Sequence, residues 1–367
     1  MPMSAHQVAP TQAPSLNPRK SPQDHQAKTQ HQAASTLLWV SRGLLVALAL
    51  AFAGLNLAGI HFSIEAQSIV YLIGMVAMNL PHGGFEHANN LWNRPISFAA
   101  RYVVLFAVAI ALFVGLLFWN PVLGLGLALT VAMVKGGQGG VHVLDATTGS
   151  THLRHSLQRI LAATVRGGAV MIVPMIAWPE TFLLFSQYMV NIFEPGALAS
   201  AGANVETVRT TLALGYGSAV LLHLGLGYTY ASDLLSWGID AAETTLLVAY
   251  FTFVPVLIAV GLYFPFWYSL RQVARAVATG DDAYGSADRG EPALMARFKS
   301  WGTFMIGSLG TFGLMAALYM LFPSPLGGAP FWAGLVAFYS IFVSIIALPH
   351  IIVGAWLDRE HGIWYVP

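Results

Sequence analysis

The chain has 367 residues, of which 56% are hydrophobic and 9% charged, with a formal net charge of +1 and no cysteine. That balance excludes a water-soluble domain of this length and describes a polytopic membrane protein. Near-neutral charge without a basic stripe excludes a nucleic-acid partner. The lack of thiols excludes disulfides and thiolate-bound metals, so any metal site must use His, Asp or Glu.

From the N-terminus, residues 1–35 are rich in Gln, His, Pro and Ser and read as a disordered polar tail. Residues 36–367 read as a single transmembrane helical domain. Apolar runs at 37–60, 65–81, 98–119, 121–134, 158–178, 180–193, 212–230, 244–267, 301–322 and 331–356 predict an all-α bundle of about ten spans. The runs 121–134 and 180–193 are short.

The distribution of Lys and Arg sets the orientation. Arg19, Lys20 and Lys28 place the N-terminus inside. Counting on, the inside connections carry Arg94, Arg101, Lys135, Arg154, Arg159, Arg166, Arg209, Arg271 to Lys299, and Arg359. The outside ones, including an acidic stretch from Asp233 to Glu243, carry no Lys or Arg. Both termini are therefore expected to be cytoplasmic, in a multi-pass protein of a bacterial or archaeal inner membrane. Arg166 and Arg271, near inner helix ends, are expected to snorkel to the headgroups.

The stretch Asn79 to Asn90 closes the second run with His82, Gly83, Gly84, Glu86 and His87. Its plain reading is a helix end broken by Pro81 and the glycines. The same orientation places His142 just past the inner end of the fourth run, His152 and His155 in the loop that follows, and His350 in the inner part of the tenth. His223 and His61 stand apart and read as packing and interface residues. Neutral imidazoles converging from several helices at one depth would make a metal site within a bundle. Hydrogen bonding at helix ends is the alternative.

Along the chain these residues carry a resemblance. Leu80-Pro-His-Gly-Gly-Phe-Glu-His resembles the Pro-His-Gly-x-x-Asp-His motif of the Brp/Blh family of membrane beta-carotene dioxygenases. Val141-His-Val-Leu-Asp, Arg166-Gly-Gly with Pro174 and Trp178-Pro-Glu-Thr, Gly261-Leu-Tyr-Phe-Pro-Phe-Trp-Tyr-Ser-Leu-Arg-Gln, and Leu348-Pro-His with Trp356-Leu-Asp resemble further segments of that family in order. The resemblance implies an all-helical membrane enzyme with a histidine-bound non-haem iron, Fe(2+). It would split the central double bond of a carotenoid, beta-carotene, with O2 to give retinal, taking its substrate from the lipid bilayer.

Carried onto this chain, the metal ligands would come from His82, His142, His350 and His87. Glu86 and Asp145 would be ligands or would orient a ligating histidine, and Glu86 and Tyr268 would be the catalytic candidates, Tyr268 as a hydrogen-bond donor near the iron. The chain departs from the family pattern at Tyr268 and Gln272, where that pattern has histidines, and at Trp178, where it has His-Pro-Glu. Two readings follow: a rebuilt, smaller ligand set, or a protein that binds a carotenoid or prenyl lipid without cleaving it. A transporter is a third, on the strength of the Gly136-Gly-Gln-Gly-Gly run, which would suit unwound backbone lining a cavity. Nothing in the sequence sets the oligomeric state.

Overall fold

The computed structural model of the chain describes residues 22–79, 95–279 and 293–361. Its helices in order are α1 (Pro22–Leu57), α2 (Ile64–Leu72), α3 (Ile96–Trp119), α4 (Pro121–Thr148), α5 (Ser156–Ala177), α6 (Pro179–Asn191), α7 (Val205–Tyr230), α8 (Leu234–Phe253), α9 (Val256–Tyr263), α10 (Leu270–Thr279), α11 (Ala293–Leu321) and α12 (Phe331–His361). Two π-helical segments interrupt this series, Ile73–Asn79 after α2 and Phe264–Ser269 between α9 and α10. No strand occurs among the described residues. The all-α membrane bundle expected from composition is the fold observed.

Seven described helical stretches are long and apolar enough to cross a membrane, and the apolar stretches Ile64–Val76 and Ser308–Leu321 are shorter. The expected ten spans exceed those seven, and the boundaries differ in physically informative ways. Helix α1 begins at Pro22, within the stretch read as tail, because no Gly or further Pro interrupts 23–42. Helix α6 has only 13 residues, too few to span, so the run 180–193 is a short helix packed beside its neighbours.

The run 121–134 is not short in the structure: α4 continues unbroken through Thr148, so His142 lies on a helix and not in a loop. Asn120 caps α4, its side chain accepting from the Leu123 N–H at 3.0 Å, with Pro121 at the first position. Gly149, at φ 79°, ends it in the left-handed conformation. The Gly136–Gly140 run is thus helical, and the unwound backbone of the transporter reading is not found there. Its purpose is close approach. A Cβ on Gly137 would strike the Ala163 carbonyl oxygen of α5, and one on Gly167 the Met133 carbonyl oxygen of α4. In lipid, where apolar burial does not drive helices together, such small-residue contacts supply the association through van der Waals packing.

A second close approach joins the first π-segment to α9. Gly74 and Gly261 face each other so tightly that a Cβ on Gly74 would overlap the Gly261 carbonyl, and a Cβ on Gly261 would lie 2.6 Å from the Tyr71 Cα. Around this contact the apolar interior divides in two. One half gathers Tyr71, Met75, Phe113, Leu117, Phe338 and Phe342 from α2, the first π-segment, α3 and α12. The other gathers Leu45, Val170, Tyr250, Phe251, Ile258 and Trp267 from α1, α5, α8 and α9 and the second π-segment. Tyr339 ties the first half to the π-segment by donating its hydroxyl to the Met75 carbonyl at 2.7 Å.

Contacts between helix ends fix the running directions. His155, just before α5, packs edge-on against Tyr230 at the end of α7, with ring centroids 5.4 Å apart. Arg209, near the start of α7, donates to the carbonyl of Ile176 at the end of α5 at 2.9 Å. Asn56, at the end of α1, donates to the carbonyl of Phe253 at the end of α8 at 2.9 Å. Helix α8 therefore starts at the end where α5 starts and α7 finishes. The stretch Asp233 to Glu243, expected to be an outside loop, instead opens α8 at the level of Arg166: Asp233 caps the helix, and Asp240 and Glu243 pair with arginines that the charge count had placed inside.

Candidate functional site

His142 is an exposed residue on α4, one turn beyond Gly139. Gly139 is where α4 meets the segment carrying Tyr268 and Gln272. A Cβ built on Gly139 would lie 2.9 Å from Gln272 Nε2 and 3.3 Å from Tyr268 Cε2. Gln272 is oriented by Arg275, whose NH1 lies 3.5 Å from its Oε1, and Tyr268 packs against the Phe264 ring, centroids 5.8 Å apart. Tyr268 and Gln272 are four residues apart and share one helical face. The structure thus brings the two positions where the family pattern has histidines to the α4 turn that bears His142.

The other expected site residues fall out differently. His82, Glu86 and His87 lie outside the described residues. His350 is on α12, and its side chain lies outside the described residues. Asp145, one turn beyond His142, has both carboxylate oxygens engaged by Arg159, with Ser150 donating its hydroxyl to one of them. Trp178 stands at the far end of α5, about 18 Å from Arg166 along the helix at 1.5 Å per residue. It packs in the first apolar half, and its buried indole N–H meets no acceptor among the described residues. Among the described residues no three His, Asp or Glu come together to hold a metal ion.

Sequence reasoning missed the main polar feature of the interior. Arg166 and Arg271, expected to snorkel, are each 2% exposed and belong to a buried charge cluster with Asp240 and Glu243, each 1% exposed. Arg166 gives Nε and NH2 to Asp240 Oδ1 at 3.1 and 2.6 Å, and NH2 also reaches Glu243 Oε2 at 2.9 Å. Arg271 gives NH1 to Glu243 Oε1 at 2.7 Å and NH2 to Oε2 at 2.8 Å. Arg42 of α1 completes Glu243 with Nε and NH2 on Oε1 at 2.9 and 2.7 Å.

The second oxygen of Asp240 faces two histidines, His152 Nε2 at 2.7 Å and His223 Nε2 at 3.1 Å. His152, expected near the inner histidines, is fully buried against α8. His223, expected to be a packing residue, stands in the same cluster. An arginine head this deep in an apolar bundle requires carboxylate partners, since an unpaired charge there is costly. The signal available in the sequence was the pair Asp240 and Glu243, three residues apart at the start of an otherwise apolar helix. It marks one polar stripe facing inward.

An apolar crevice of about 250 Å³ lies elsewhere, near the start of α4 and the bend between α5 and α6. Leu125, Leu129, Met175, Phe182 and Val208 line it. His142 is far along α4 from this crevice.

A helical bundle with membrane-length apolar helices and a charge cluster buried behind a His–Tyr–Gln junction defines an all-α polytopic membrane protein. The chain belongs to the beta-carotene 15,15'-dioxygenase family, whose profile matches residues 73–358. Among its relatives is a probable beta-carotene 15,15'-dioxygenase Brp of Halobacterium salinarum (strain R1), 55% identical over 339 residues that cover 90% of this chain and 94% of that protein. A probable beta-carotene 15,15'-dioxygenase Blh of Halobacterium salinarum (strain NRC-1) is 26% identical, covering 86% of this chain and 93% of its own. No solved structure is a significant match.

Proposed function

We propose that the chain is a membrane oxygenase that cleaves the central double bond of beta-carotene with O2, forming retinal. The observation that carries this reading is the family match over 73–358, which takes in both sides of the junction between the His142 turn and the Tyr268–Gln272 face. The substrate is entirely apolar and would reach the enzyme from the bilayer of the cytoplasmic membrane without crossing water.

The metal in this reading is ferrous iron. His142 is the one candidate histidine ligand whose side chain the structure describes, and Asp145 is engaged by Arg159, so His82, with His350 or His87, would have to complete the set. Glu86 would be a ligand or would orient one of these histidines. When bound, the iron would supply the activation of O2 that a closed-shell hydrocarbon needs. The chain's own residues would do the rest. Tyr268 would offer its hydroxyl to oxygen or substrate beside His142, and the other aromatic residues of its π-segment would hold the polyene against the α4 face.

The test is expression in a beta-carotene-accumulating bacterial host, with retinal and carotene measured by chromatography against an empty vector. Retinal that appears with the chain and disappears with His82→Ala and with His142→Ala is the expected result. Intact carotene beside a stably inserted protein would overturn cleavage. It would favour the second reading, a carotenoid-binding relative, which has its own observation: Tyr268 and Gln272 stand where the family pattern has imidazoles.

A further inference from the structure

Tyr268 and Gln272 occupy the stripe of the second π-segment and α10 that meets α4. Arg271 lies between them in sequence on the adjoining stripe, with Trp267 one turn before it. Whatever holds Arg271 therefore holds the rotation of the Tyr268–Gln272 face. Arg271 is held at two points by a single carboxylate, that of Glu243, in a planar fork that fixes angle as well as distance. Its guanidinium also lies 4.4 Å from the centroid of the Trp267 ring.

The same carboxylate reaches α4 by another route. Glu243 accepts from Arg166, and the Arg166 stem lies along α4, where a Cβ built on Gly140 would sit 3.2 Å from its Cδ. Gly140 adjoins Gly139, the contact point of Tyr268 and Gln272. One acid on α8 is thus linked to both helices of the junction, and the junction turn carries His142. Helix α10 also packs on α1 and α4 through Ala274, Val277 and Ala278, beside Leu38 and Val143; that apolar seam is not directional, and the fork on Glu243 is what adds a fixed angle.

We propose that Glu243 is a positioning residue for the site: by holding Arg271 and Arg166 together it sets the register of Tyr268 and Gln272 against the His142 turn of α4. This rests on the reading of Tyr268 and His142 as site residues, and its test has an arm that needs no activity. The chain has no cysteine, so the pair Gly139→Cys and Gln272→Cys reports the α4–α10 register by disulfide formation with copper phenanthroline in isolated membranes.

The cross-link is expected to form in the otherwise unaltered chain and to slow by roughly tenfold with Glu243→Gln, while the protein still elutes as a single folded species. Arg271→Lys keeps the charge but not the fork, and is expected to slow it likewise. This second variant decides the question if Glu243→Gln fails to fold. Cross-linking unchanged in the folded variants would overturn the proposal.

The activity arm is a double-mutant cycle. Glu243→Gln should lower kcat by about tenfold with KM within about twofold, and should have no further effect in a Tyr268→Phe background. Losses that multiply would show that Glu243 does not act through Tyr268. If the unaltered chain makes no retinal, the proposed function fails, and the cross-linking arm still decides the positioning role.

Discussion

Arg271 and Glu243 meet head to head inside the bundle, each guanidinium nitrogen of the fork on its own carboxylate oxygen, at 2.7 and 2.8 Å, with both side chains almost fully enclosed. Pairs of this kind contribute less to stability than their bond count suggests, because both charges are desolvated. Their removal from one side only is what costs, since the remaining charge stays buried.

Arg271→Met leaves Glu243 paired with Arg166 and Arg42, so it is expected to lower stability by about 1.5–3 kcal/mol, the worth of hydrogen bonds to a charged group, read as loss of the folded peak on heating in detergent. The exposed pair Arg209–Glu206 gives the contrast, its side chains being 43% and 77% exposed. Glu206→Ala should change stability by less than about 1 kcal/mol.

Glycines of the same helix pair should respond oppositely. Gly167→Val places side-chain carbons into the Met133 carbonyl and should prevent α4 and α5 from closing, with little folded protein recovered. Among the described residues nothing lies within 4 Å of a Cβ added at Gly136, so Gly136→Ala should leave packing intact and stabilise α4 by about 0.5–1 kcal/mol.

Trp178 buries an indole N–H that has no acceptor among the described residues. Trp178→Phe keeps most of the ring and removes the unsatisfied donor, so it is expected to be neutral or stabilising by about 1 kcal/mol. A clear loss of thermal stability would show that the N–H has a partner.

If iron is bound as proposed, purified protein should hold it stoichiometrically by mass spectrometry, and His142→Ala should retain less than about a tenth. Tyr268→His together with Gln272→His should raise metal retention and retinal formation, because it puts two imidazoles on the face that adjoins the His142 turn. No gain in either would remove that face from the ligand set.

The apolar runs made the helical class legible, because twenty-odd hydrophobic residues in succession have few other uses. The charge cluster was not legible for a reason of distance. Glu243 finds Arg271, Arg166 and Arg42 at sequence separations of 28, 77 and 201, and a count of loop charges treats all four as surface residues. The His142 turn was legible as chemistry but not as helix, since the Gly136–Gly140 run reads locally as a break and its compensation lies on α5. Neither π-segment leaves a signature in the hydrophobic pattern, although one carries Tyr268. Only the three-dimensional arrangement puts Tyr268 and Gln272 beside Gly139.

The separations within that cluster also constrain how the chain is made. Synthesis delivers Arg42 and Arg166 to the membrane before either acid, and Asp240 follows Arg166 by 74 residues. An arginine near the middle of an inserted helix carries a penalty of about 2.5–3.5 kcal/mol until it is neutralised. The first helices must therefore wait, provisionally placed or partly withdrawn, until α8 arrives and secures them together. Completion of α8 would be the commitment step of biogenesis, and a nascent chain halted before residue 234 would hold its early helices loosely.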